Sequence, residues 1–130
     1  MAENNVLKDK LGNIFNPKIS RYEKRRFKIL WENTSKTSML EGTEINLSSD
    51  DYDMLLWVFA TSVNGIQNNA ISVCMKGNNC ILFSSTVVSN IQVRRQLNYV
   101  NDTKYIASIG YAGGEDENNA IPLYCIGIKF

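Results

Sequence analysis

IPLYCIGIKF, residues 121–130, is an apolar run with the composition of a β-strand, and it indicates the fold class of the whole chain. Pro122 stands near its start, where a strand tolerates the missing N–H of proline. Apolar or aromatic side chains then recur at every second position, at Tyr124, Ile126 and Ile128. We therefore expect this run to form a paired strand.

A second apolar run, Tyr52–Thr61, carries hydrophobic residues on both faces. One parity holds Leu55, Trp57 and Phe59, and the other holds Met54, Leu56, Val58 and Ala60. A half-exposed antiparallel strand alternates between apolar and polar residues, so a strand with two apolar faces requires cover on both sides. We expect a second sheet to cover one face and another subunit to cover the other.

Short strand-like segments separated by Asn, Ser and Gly clusters follow one another from Phe27 onward, and no long amphipathic helix interrupts them. The candidates are Phe27–Trp31, Glu44–Leu47, Tyr52–Thr61, Ala70–Met75, Cys80–Ser85, Ile91–Tyr99, Lys104–Tyr111 and Ile121–Phe130. This pattern is typical of two packed antiparallel sheets or of a closed barrel. We predict the first, an all-β antiparallel β-sandwich of about eight strands with a jelly-roll-like order.

The length of 130 residues fits one domain with its own core. Residues 1–25 lack strand or helix periodicity and contain turn signals, so we expect an N-terminal arm or linker, followed by the sandwich domain at 26–130. No apolar stretch approaches the roughly 20 residues of a transmembrane helix, which predicts no membrane insertion. The first ten residues also lack the apolar core of a secretory signal.

The three cysteines, Cys74, Cys80 and Cys125, lie in strand-like segments and are odd in number. In a chain synthesised in the cytosol without a secretory signal, such cysteines are expected to be reduced and buried. A bond between Cys74 and Cys80 across the intervening turn is the less favoured alternative.

Basic residues concentrate near the start of the sequence, since residues 1–28 hold eight Lys/Arg and three acids while the remainder holds six and ten. The densest part, Arg21–Lys28, has two interpretations. It is either a phosphate-binding patch or a solvated linker that enters the first strand. We favour the linker and expect no nucleic-acid partner, because the body of the protein is acidic and repels a polyanion.

Catalytic and metal-binding patterns are weak in this sequence. The absence of histidine removes the usual base of Ser/His or Cys/His catalysis and the commonest zinc ligand. Acidic residues gather in two groups that suggest a calcium site or the acid and base of a glycan hydrolase. The groups are Asp50, Asp51 and Asp53, and Glu115, Asp116 and Glu117. We favour solvated loops in both cases, and predict no enzyme, no metal and no cofactor.

Carbohydrate binding is a better match to the side chains available, because aromatic rings and planar amides hold sugars. The candidates are Asn64, Gln67, Asn68, Asn69, Asn78, Asn79, Tyr111, Asn118 and Asn119. Each is equally an ordinary turn or strand residue, so the ligand-binding residues stay unknown at this level. Arg95, which follows Arg94 in a strand-like segment, either pairs with an acid across a subunit interface or discourages pairing at a sheet edge.

Several short motifs occur in a fixed order across residues 27–130. They comprise Gly42, Ile45, Leu47, Ser48, Tyr52 and Asp53 before the long strand, and Ile121, Pro122, Gly127, Ile128 and Lys129 in the last one. In this respect the chain resembles the C-terminal modules of bacteriophage tail fibre and baseplate appendage proteins, many of which bind receptors.

The resemblance implies a β-sandwich at the far end of a virion appendage, commonly a homotrimer, with no catalytic motif. We therefore expect a virion protein, made in the cytoplasm of the bacterial host, that attaches to a bacterial surface glycan or protein. Its N-terminal arm would contact other virion proteins. The alternatives are a structural module that caps or decorates a tail or capsid, and a carboxylate-dependent glycan hydrolase.

Overall fold

The computed structural model describes residues 27–63, 66–85, 91–113, 115–116 and 119–130. Those residues form nine strands and no helix. The strands are β1 Phe27–Glu32, β2 Glu44–Asn46, β3 Met54–Val63, β4 Ile66–Met75, β5 Cys80–Ser85, β6 Gln92–Asn101, β7 Lys104–Ala112, β8 Glu115–Asp116 and β9 Ile121–Ile128. Eight of them match the predicted strands, and β8 is a further two-residue strand. The predicted arm at residues 1–25 lies outside the described residues.

The strands form two antiparallel sheets, as predicted for a β-sandwich. Sheet A has the order β1-β9-β3-β4, and sheet B has the order β2-β7-β6-β5, with β8 paired to β7. The chain crosses between the sheets after β1, β2 and β4 and returns to place β9 between β1 and β3. This jelly-roll-like order puts the last strand of the sequence at the centre of sheet A.

The core is built on the inward face of β3, where Leu55, Trp57 and Phe59 are fully buried. The Trp57 ring lies 6.0 Å from that of Trp31 on β1 and 5.6 Å from that of Tyr105 on β7, centroid to centroid. The contact with Trp31 lies within sheet A, and the contact with Tyr105 joins the two sheets. The indole Nε1 of Trp57 has no hydrogen-bond partner among the described residues, so its burial is supported by packing.

The residues that carry the motif resemblance hold the end of β9 against the connection between β2 and β3. A Cβ atom added at Gly127 would lie 2.7 Å from the Tyr52 ring and 2.8 Å from Leu30 Cδ1, so this close approach requires glycine. The Asp53 N–H donates to the Ile128 carbonyl at 2.9 Å, and its carboxylate accepts from the backbone N–H of Phe130 at 2.8 Å. These contacts give Tyr52, Asp53 and Gly127 structural roles.

The prediction of reduced thiols is wrong for Cys74 and Cys80, which form a disulfide with a Cα–Cα distance of 5.6 Å. Cys74 lies near the end of β4 in sheet A, whereas Cys80 begins β5 in sheet B. The turn between them uses Gly77 at a φ of 85° to bring the two strands together. The disulfide therefore links the two sheets covalently. Cys125 is free and buried, as expected.

Removal of this disulfide by the double substitution Cys74→Ser/Cys80→Ser should lower stability by about 2 kcal/mol, because the bond closes only a short loop in the unfolded chain. Thermal unfolding with and without reductant measures the effect. Reductant should lower the melting temperature of the wild-type protein and leave that of the double variant unchanged. A wild-type protein whose melting temperature does not respond to reductant would contradict the prediction.

Candidate functional site

The outward face of sheet B combines aromatic and polar side chains. We call this surface the polar–aromatic face and define it by Ile81, Phe83, Arg94, Gln96, Asn98 and Tyr111. The strand register aligns three of these residues, because Phe83 on β5 pairs with Arg94 on β6 and Arg94 pairs with Tyr111 on β7. A guanidinium group thus stands between two aromatic rings in one row across three strands.

The aromatic side chains of this row are accessible, since Phe83 is 47% exposed and Tyr111 is 37% exposed. Residues directly opposite each other on neighbouring strands are about 5 Å apart, so two strand spacings place these rings about 10 Å apart. Arg94 is also exposed. The row therefore offers two apolar ring faces and a planar cationic donor to a ligand wider than one sugar ring.

Two amide side chains next to this row are held in place by hydrogen bonds. Gln96, opposite Ile81, donates from Nε2 to Asn98 Oδ1 at 2.6 Å. Its backbone N–H donates to the Ser108 hydroxyl at 3.0 Å, at an irregular point in the pairing of β6 and β7. An amide pair with a fixed orientation loses little conformational entropy when it binds a hydroxyl-rich ligand.

Both interpretations of Arg95 from the sequence are wrong. Its strand, β6, pairs on both sides and is not a sheet edge. The side chain is fully buried inside the sandwich, which removes it from any subunit interface. The strand alternation that exposes Arg94 necessarily turns Arg95 inward.

Arg95 anchors the chain that leads into β9. Its Nε donates to the carbonyls of Asn119 and Ala120, each at 3.1 Å, and its Nη1 donates to the carbonyl of Ser108 at 2.6 Å. Ala120 has a φ of 49°, a left-handed conformation that this anchoring supports. Burial lowers the pKa of Arg95 to about 10, so the guanidinium is still charged at neutral pH.

Substitution Arg95→Met should destabilise the fold by about 3 kcal/mol, because it keeps the apolar stem but removes the donor from buried carbonyls. Urea unfolding measures this loss. The adjacent and exposed Arg94 supplies a matched control, since Arg94→Met should change the free energy of unfolding by less than about 0.5 kcal/mol. Equal effects of the two substitutions would contradict the anchoring role.

The asparagine candidates do not form one cluster. Asn78 and Asn79 lie in the turn after β4, and Asn68 and Asn69 lie toward the opposite end of that strand. Asn79 accepts a hydrogen bond from the backbone N–H of Tyr99 at 2.8 Å, which is a structural contact.

Tyr111 is the one sequence-predicted candidate on the polar–aromatic face. Asn119 is buried, and its side chain accepts from the N–H of Ala120 at 2.7 Å. Asn64 and Asn118 lie outside the described residues, as does the side chain of Gln67.

The two acidic groups lie at opposite ends of the sandwich. Ser49, next to Asp50, contacts Asp102 just before β7 begins, whereas Glu115 and Asp116 pair with the last residues of β7. The length of β7 separates these ends by about 26 Å, so the groups do not share one cleft. Among the described residues no cluster of three His, Cys, Asp or Glu side chains is arranged to hold a metal ion. Glu117 and residues 21–26 of the basic segment lie outside the description.

Comparisons with protein-family models, curated proteins and solved structures find no match to this chain. Within the described part of the chain, no helix has the length and hydropathy to cross a membrane. The site is therefore interpreted from its own chemistry. Sequence reasoning missed Phe83, Arg94 and Gln96 because their alignment depends on cross-strand register. The alternation of Ile81 and Phe83 against buried Cys80 and Leu82 is the signal that was available.

Proposed function

We propose that this protein is a non-enzymatic attachment domain that binds carbohydrate on its polar–aromatic face. The observation that carries the proposal is the exposed row of Phe83, Arg94 and Tyr111. Aromatic faces accept the apolar faces of sugar rings, and the guanidinium and amide groups beside them match sugar hydroxyls or carboxylates.

The charge of this surface favours a glycan over a nucleic acid. Arg94 is the only cation in the row, and Lys104, at the opposite end of β7 from Tyr111, lies 3.4 Å from the carboxylate of Glu44. Phosphate backbones are bound by clustered, uncompensated cations, and the face offers no such cluster among the described residues. A neutral or mildly acidic oligosaccharide is therefore the proposed ligand class.

The resemblance to phage tail appendage modules supports a biological setting for this binding. In that setting the domain belongs to a virion, forms a homotrimer and recognises the host surface. Each shallow glycan site binds weakly, and three linked sites raise the apparent affinity by roughly 10² to 10⁴ without new contacts. Attachment by many weak sites is the proposed mechanism.

Substitutions Phe83→Ala and Tyr111→Ala should each reduce binding to isolated bacterial envelopes or to a glycan array by roughly 10-fold, because each removes one stacking surface. Phe130→Ala is the matched control, since it removes a different exposed aromatic ring. Equilibrium binding of the folded variants is the measurement.

Two results would contradict this function. One is wild-type protein that binds no envelope or glycan, and the other is binding that survives loss of both aromatic rings. Equal affinity for single-stranded DNA would assign the face to nucleic acid instead.

A structural role in the virion is the second candidate function. It is favoured by the apolar outward face of sheet A, since a module that caps or decorates a particle needs an adhesive surface but no receptor site. Such a module would bind a virion component and leave bacterial envelopes unbound.

A further inference from the structure

The outward face of sheet A is apolar across all four strands. Register aligns it in three rows, with two rows formed entirely by hydrophobic residues. The rows are Phe27, Ile128, Met54 and Met75; Ile29, Ile126, Leu56 and Val73; and Glu32, Tyr124, Val58 and Ile71. We call the eleven apolar members of these rows the apolar face.

The apolar face is open to solvent within the described structure. Residues on its two edge strands are the most exposed, with Phe27 at 63% and Ile71 at 61%. Its charged neighbours form ion pairs at its margin, where Glu32 pairs with Lys36 at 2.9 Å and Asp53 pairs with Lys129 at 3.7 Å. The Lys36 ammonium also lies over the Tyr124 ring, 4.2 Å from its centroid. An apolar centre with a charged rim is the usual composition of a protein interface.

The size of the face fits the centre of an interface. Four strands about 4.8 Å apart and three rows about 6.7 Å apart cover roughly 400 Å² in projection. A standard interface buries about 800 Å² on each partner. The apolar face thus covers about half of that area, which is the size of the hydrophobic centre of an interface.

We infer that the apolar face is a self-association interface, against which a second copy of this chain packs the same surface in a two-fold dimer, in place of the homotrimer that the resemblance implies. The charges at its margin are paired with opposite charges of the same chain, so self-association requires no complementary partner. Two such sheet faces stack about 10 Å apart with interdigitated side chains, as the two sheets of one sandwich do.

Association through the apolar face also leaves the polar–aromatic face free. The polar–aromatic face is the outward surface of sheet B, on the other side of the sandwich. Every copy in the assembly therefore presents its own polar–aromatic face to solvent. The inference does not rest on glycan binding, because it depends only on the contents of sheet A.

The test replaces two exposed residues in the middle row, as Ile29→Lys/Val73→Lys, in the full chain. Because both side chains lie on edge strands and are exposed, the variant should fold as a monomer. Leu40→Lys/Val100→Lys is the matched control, since Val100 is 47% exposed and Val73 is 49% exposed. Light scattering and sedimentation over a range of concentrations give the mass relative to the 14.7 kDa chain.

Wild type and control should be oligomers of equal mass, and the Ile29→Lys/Val73→Lys variant should raise the dissociation constant by roughly 100-fold or more, because it buries unpaired charges. Wild-type protein that is monomeric at every concentration would overturn the inference. An oligomer that tolerates both lysines would overturn it as well.

If the double variant does not fold, as judged by circular dichroism, Met75→Lys on the same face is tested in its place.

A measurement of glycan binding distinguishes self-association through the apolar face from ligand binding on the polar–aromatic face. The monomeric variant should still bind a short oligosaccharide with unchanged single-site affinity, whereas Phe83→Ala should lower that affinity by roughly 10-fold and keep its mass.

Discussion

Burial of the inward face of β3 is the constraint on which the rest of the structure depends. Leu55, Trp57 and Phe59 enter the core together, and the long pairings of β3 with β4 and β9 fix them there. Trp57 then contacts Trp31 within sheet A and Tyr105 of sheet B, so one buried ring packs against both sheets. Strand geometry also fixes which residues face outward, because the side chains on either side of each inward residue of β3 point to the opposite face of the sheet. The hydrophobic outward residues are thus exposed by the same pairing that builds the core.

Local patterns in the sequence were sufficient for the fold class and for the strands, because alternation and turn chemistry are encoded over a few residues. They also identified β3 as apolar on both faces. They were not sufficient for Arg95 or for the Cys74–Cys80 pair, since the environment of each depends on which strand lies beside it. From the sequence, Arg95 is interpreted as a surface residue because it follows Arg94. The structure shows that its guanidinium donates to the carbonyls of Asn119, before β9, and Ser108, in β7. The same limit applies to the row of Phe83, Arg94 and Tyr111, which three separate strands assemble.

The motif residues on which the predicted resemblance depends have a physical explanation that concerns the fold. Gly42 adopts a φ of 83° in the turn before β2, and Gly127 admits the Tyr52 ring. Asp53 donates its backbone N–H to the Ile128 carbonyl of β9, and its carboxylate accepts from the N–H of Phe130. A resemblance based on these positions therefore carries information about the sandwich and little about its ligand. The proposed ligand-binding residues lie instead on the outward face of sheet B, where the side chains do not support the core.

The pairing of β1 with β9 has a consequence for protein engineering. Phe27 is opposite Ile128, so β1 begins and β9 ends at the same end of sheet A, with these two residues about 5 Å apart. A unit with adjacent ends can be spliced into an exposed loop of an unrelated carrier without stretching either polypeptide. The same adjacency permits circular permutation, with a short linker joining the two ends and new ends opened at a surface turn. The described sandwich is therefore suited to insertion into a carrier protein and to circular permutation.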